Sequence, residues 1–117
     1  MKLREISASL GLKLLTRELD SQQDVEVTTG HASDLLSDVL SNAPSGSVIV
    51  TIQAHLNVVA VALHARAAAV ILAAARSVDP EVIERAAEEK VPLFSSDAST
   101  FDVVGRLYEI GIRGGRS

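Results

Sequence analysis

The sequence predicts an α/β fold, with a mainly parallel sheet and helices on both of its faces, and three observations carry that expectation. Short, almost continuously apolar runs at Val48 to Ile52 and Val70 to Leu72 read as strands buried on both faces. Stretches with helical periodicity and recognisable start signals follow those runs. The two patterns alternate along the chain, which calls for parallel strands joined by crossover helices.

Leu3, Ile6 and Leu10 recur at helical spacing and Gly11 is placed to end the turn, so the first ten residues form one short amphipathic helix. Leu12 to Thr16 reads as a short strand, completing a helix-strand lead-in. Arg17 to Gln23 is polar and turn-like. Val25 and Val27 then alternate with Glu26 and Thr28, the period of a strand with one wet face, and Gly30 ends it. Ser33 is a cap for a helix whose Leu35, Leu36, Val39 and Leu40 share an inner face. Asp34 and Asp38 on the other face read as solvated charge.

Asn42 to Ser47 is a turn. After the Val48 strand, Asn57 is expected to cap an apolar helix that leads into the Val70 strand. Asp79, Pro80 and Glu81 combine a cap, a first-turn proline and a carboxylate near the positive helix end, and Val82, Ile83, Ala86 and Ala87 supply that helix's inner stripe. Val91 to Phe94 is a strand entered through Pro92. Ser99 with Asp102 resembles a capping box opening a last helix, lined by Val103, Val104 and Leu107 and stopped at Gly111. The reading is one domain over residues 1–112 and a loose tail over 113–117.

Composition narrows the function classes. The 117 residues, 47% hydrophobic, suffice for a core without disulfides or metal. The absence of cysteine excludes a thiolate nucleophile and a disulfide framework, and makes the cytoplasm the default compartment. A net charge of −4, with two Phe, one Tyr and no Trp, speaks against nucleic acid. Arg4 and Glu5 interrupt any apolar signal region. Val58 to Ala75 approaches the length of a membrane span, but His64 and Arg66 sit at its centre and argue against a membrane.

Ligands of open α/β sheets gather beyond the carboxyl ends of the strands. There the sequence places Thr29, Gly30 and His31, then Gln53, His55 and Asn57, then Arg76 and Ser77, then Ser95, Ser96 and Asp97. Gly30, His31, Gln53, His55, Asn57, Arg76, Ser95 and Ser96 are the candidate ligand-binding residues, and a small anion such as phosphate is the chemistry they suit. Ordinary caps and turns use the same residue types. No phosphate-binding glycine loop, HExxH spacing, nucleophile elbow or paired catalytic carboxylates can be read, so no enzyme activity, metal or cofactor is expected. The helix after Asn57 is apolar nearly all round, and the sheet covers only one side of it. A second copy of the chain is the expected second cover, with Val58, Val59, Val61, Ala62 and Leu63 at a homodimer interface.

SDLLSDVL (Ser33 to Leu40), TIQAHLNVVAVA (Thr51 to Ala62) and STFDVVGRLYEIGI (Ser99 to Ile112) together resemble a DRTGG domain, and the likeness runs from Met1 to Ile112. The resemblance implies a non-enzymatic regulatory or scaffolding module, of the kind found beside CBS domains in pyrophosphatases and in long bacterial phosphotransacetylases. It implies an adenine nucleotide or another phosphate-bearing small molecule as ligand, and a client protein in a redox or hydrogenase setting. The signature itself is altered: Ala54 and His55 stand where an Asp-Arg pair is expected, and Ala73, Ala74 and Ala75 where Thr-Gly-Gly would follow. A kinase of the sugar-transport phosphocarrier carries a similar non-catalytic domain, but this chain has no Walker A motif to bind ATP.

Overall fold

A computed structural model describes residues 1–115. Helix α1 (Leu3–Leu10) buries Leu3, Ile6 and Leu10, and Gly11 ends it in the left-handed conformation at φ 65°. Strand β1 (Lys13–Leu14) follows, then a 3₁₀ segment (Arg17–Asp24) and strand β2 (Thr29–Ala32). Helix α2 (Leu36–Asn42), strand β3 (Val48–Thr51), helix α3 (Leu56–Ala65) and strand β4 (Ala69–Leu72) alternate next. Helix α4 (Pro80–Glu88), strand β5 (Leu93–Ser95), helix α5 (Thr100–Glu109) and strand β6 (Arg113–Gly114) complete the chain.

The six strands lie in the order β1-β5-β4-β3-β2-β6, with β1 antiparallel to β5 and every other pair parallel. Successive side chains of β3 point to opposite faces, as the period of a strand requires. Val48 and Val50 join the core under α1 and α5 with Phe94, Val103 and Leu107, while Ile49 joins the core under α2, α3 and α4 with Val39, Val59 and Val82. The α/β architecture expected from the sequence is the one observed.

Four local expectations are corrected. The first parallel strand is Thr29–Ala32, not Val25 to Thr28. Val27 is core, but its segment runs beside the N-terminus instead, with the Val27 amide donating to the Met1 carbonyl at 2.8 Å and the Leu3 amide to the Val25 carbonyl at 2.9 Å. Gly30 therefore lies within a strand and does not end one. Leu35 and Leu40, expected inside, are 65% and 49% exposed, because α2 starts at Leu36 and turns only Leu36 and Val39 inward. Arg113 and Gly114, expected in a loose tail, pair with Thr29 and Gly30 as an edge strand. The rest of that expected tail includes Arg116 and Ser117, which lie outside the described residues.

The fourth correction concerns α3. Val58, Val59 and Ala62 are enclosed by their own chain, since α2 packs on one side of the helix and α4 on the other. A helix apolar all round needs cover on several sides, and neighbouring crossover helices of the same sheet supply it. Of the five residues expected at a homodimer interface, only half-buried Val61 and exposed Leu63 still reach the surface.

Candidate functional site

Because β2, β3, β4 and β5 are parallel, their carboxyl ends share one rim, and the loops leaving them carry most of the expected site residues. Strand β3 runs out through Ile52, Gln53 and Ala54. His55, in extended conformation at φ −95° and ψ 166°, is the residue at which α3 begins. This corrects the expected cap: Asn57 lies in the first helical turn, and no side chain closes the helix start. Strand β4 leaves through Ala73, Ala74 and Ala75 to Arg76 and Ser77. Helix α4 then opens after Asp79, with Pro80 in its first turn as expected, although the Asp79 side chain makes no capping hydrogen bond.

These two loops enclose a cleft of about 420 Å³ lined by Ile52, Gln53, Ala54, His55, Arg76, Ser77 and Asp79. Gln53, His55 and Arg76 are thus brought together. Gln53 is held in place, its Nε2 donating to the Asp34 carbonyl at 2.8 Å and its amide to Thr51 Oγ1 at 3.1 Å. The side chains of His55 and Arg76 make no hydrogen bond or ion pair among the described residues, and both are exposed. Asn57 lies in an adjoining recess with His55, Asp79 and Glu81, where two carboxylates make a poor setting for an anion.

The other candidates are placed elsewhere. Ser95 closes β5 in register with Leu72 and Lys13. Ser96 Oγ accepts from the Ala98 amide at 3.1 Å, a turn within the β5–α5 loop. Gly30 is a packing glycine: a Cβ there would meet Ile112 Cγ2 at 3.2 Å and Val48 Cγ2 at 3.5 Å. His31 points to the opposite face, where its Nε2 lies 2.8 Å from Asp38 Oδ2.

Two carboxylates read from the sequence as solvated charge are structural. Asp34 Oδ1 accepts from Thr51 Oγ1 at 3.0 Å and from the Ile52 amide at 2.9 Å, which ties the β2–α2 loop to the end of β3. Asp38 accepts from Asn42 Nδ2 at 2.8 Å besides meeting His31. The Asn42 and His31 contacts together hold its carboxyl below the ordinary aspartate range. The role of Asp34 has no local sequence signal, because its partners lie at the end of another strand, whereas Asp38 and Asn42 are an i,i+4 pair on α2 that the sequence could have offered. Among the described residues no cluster of three His, Asp or Glu side chains could hold a metal, and no helix is long and apolar enough to cross a membrane.

The sequence profile of the DRTGG domain matches residues 6–110. The chain belongs to the DRTGG domain family. Its fold is also that of a solved structure, the CBS and DRTGG domains of the regulatory region of Clostridium perfringens pyrophosphatase, complexed with activator, diadenosine tetraphosphate. The two superpose with a TM-score of 0.68 at 12% identity, over 91% of this chain and 45% of that one, so this DRTGG chain spans less than half the length of that regulatory region. No functionally curated protein matches it.

The DRTGG signature positions gain a physical account from the geometry. Ala74 and Ala75, standing where the resemblance places the two glycines, adopt φ of 63° and 52°. The left-handed backbone is kept without the glycines that hold it cheaply. Their amides donate to Ala98 O at 2.7 Å and Ser96 O at 2.9 Å, locking the β4 exit onto the β5–α5 loop. In this DRTGG domain the paired left-handed residues thus join two loops, and their amides are turned away from the cleft.

Proposed function

We propose that this DRTGG domain is a non-catalytic regulatory module that acts as a homodimer on a partner protein, and that its rim cleft senses a small phosphate-bearing molecule, with adenine nucleotides the first class to test. The observation carrying the ligand reading is the convergence of His55 and Arg76, both without side-chain partners among the described residues, on one cleft beside Gln53 and Ser77, where the guanidinium offsets the single carboxylate of Asp79. Helices α3 and α4 both begin at its wall, so their positive ends add to the field of the guanidinium. The regulatory pyrophosphatase region of the same fold, with its diadenosine tetraphosphate activator, supports this choice of ligand class.

The test is a thermal-shift panel of adenine nucleotides, dinucleoside polyphosphates and inorganic phosphate. A ligand that binds only the folded state raises Tm by mass action. At least one nucleotide is expected to do so, and Arg76→Ala and His55→Ala are expected to remove the shift while leaving the unliganded Tm unchanged. A flat panel sinks the sensing role, and an undiminished shift in both variants moves the site away from this cleft.

A further inference from the structure

Helix α5 turns Val103 and Leu107 into the core, which leaves Gly105 near the crest of its outer face. A glycine inside an exposed helix is unfavourable relative to alanine. Nothing within the chain requires this one: among the described residues no atom lies within 4 Å of a Cβ built there. Four residues before it stands Phe101, 86% exposed; three residues after it stands Tyr108. Beyond Tyr108, on the flank facing β2, an apolar recess of about 80 Å³ is lined by Ala32, Val104, Leu107, Tyr108 and Ile112 among others. Arg113 fixes one wall of it, its guanidinium carbon stacked 3.7 Å from the centre of the Tyr108 ring and its NH1 donating to the Tyr108 carbonyl at 2.6 Å.

We propose that two copies of this chain pair through α5, antiparallel about Gly105, so that Phe101 of each copy enters the recess beside Tyr108 of the other. This rests on the homodimer reading above and gives that dimer its interface. The argument is self-complementarity. A two-fold axis across the helix at Gly105 keeps each flank against the same flank of the second copy and reverses direction along it, so a knob four residues on one side meets a hollow three residues on the other. The small residue at the crossing lets the backbones approach, and the aromatic pair meets at both ends of the contact. The same rotation brings Asp102 of one copy near Glu109 of the other, with an Arg106 from each between them, leaving a net repulsion that salt screens. The sheet edges are poorer candidates, since β1 and β6 are two residues long and leave little ladder to extend. A ten-residue helix face offers less than the roughly 800 Å² per partner of a standard interface, so the pair is weak and transient.

The test is sedimentation equilibrium of the whole chain from low to high micromolar concentration, beside Phe101→Glu, Gly105→Lys and Leu63→Glu. The expected result is a wild-type mass that rises towards twice the monomer with concentration, further at high salt. Phe101→Glu, with an unchanged Tm, and Gly105→Lys, with a Tm raised by the loss of a helix-interior glycine, both stay monomeric, and Leu63→Glu behaves as wild type. Dimers that persist in both α5 variants, or that only Leu63→Glu splits, overturn the α5 interface while the homodimer reading stands. A wild-type monomer at every concentration and salt overturns both.

Discussion

Neighbouring corners of the same rim carry similar polar residues and use them differently. At the β2–α2 corner the acceptors are engaged: Asp34 holds Thr51 and Ile52, and Asp38 holds His31 and Asn42. At the β3–α3 and β4–α4 corners His55 and Arg76 face a cleft with no partner of their own among the described residues. Polar residues at strand ends are therefore of two kinds: a group held by intramolecular hydrogen bonds positions the chain, and an exposed, solvated one beside a cleft stays available to a ligand.

The sharpest way to break that distinction is Asp34→Ala. It strips an acceptor from the buried Thr51 hydroxyl and from the Ile52 amide, and hydrogen bonds to a charged group are the stronger kind. The expected cost is about 2 kcal/mol in a urea melt, against less than about 0.5 kcal/mol for Arg76→Ala. Equal costs would show that the two corners do not differ as described.

The exit of β4, just before Arg76, sharpens the comparison with a smaller effect. Ala74→Gly and Ala75→Gly each relieve a left-handed alanine, worth about 1–2 kcal/mol, but give back about 0.4–1 kcal/mol in unfolded-chain entropy. Each variant is expected to gain about 0.5–1 kcal/mol in the same melt without altering any nucleotide response. A loss of stability would mean that the alanine methyls contribute packing which outweighs the strain.

The smallest effect is in acid. Asp38 is depressed by Asn42 and His31, Asp24 by Arg4, and Glu26 by the N-terminal ammonium. A carboxyl depressed in the folded state is protonated first in the unfolded chain, so its contribution is complete above the ordinary carboxylate range and fades as pH falls through the folded value. Urea midpoints are expected to fall between pH 5 and pH 2. Asp38→Asn should flatten part of that fall while leaving the His55–Arg76 cleft untouched.

The sequence foretold this molecule wherever a feature is local. Buried strands at Val48 and Ala69, the proline start of α4 and the Ser99 cap of α5, whose Oγ accepts from the Asp102 amide at 3.1 Å, all follow from neighbouring residues. The convergence of Gln53, His55 and Arg76 needed only parallel strands. What escaped was non-local. Strand β2, Thr-Gly-His-Ala, has little strand character and is set by pairing with β3 and β6. The apolar girth of α3 was legible, but not that α2 and α4 would be its cover. Left-handed alanines at Ala74 and Ala75 had no sequence signal, since alanine seldom adopts that conformation.

The strand order carries a consequence for how the molecule is assembled. From β2 to β5 every strand lies next to its predecessor in the chain, so this block can condense stepwise as it is synthesised, each crossover closing a short loop. The outermost strands cannot: β1 has to wait for β5, and β6 arrives last to lie against β2. The interior of the sheet is laid down in reading order, and its two borders are sealed only once Ser95 and then Gly114 have left the ribosome.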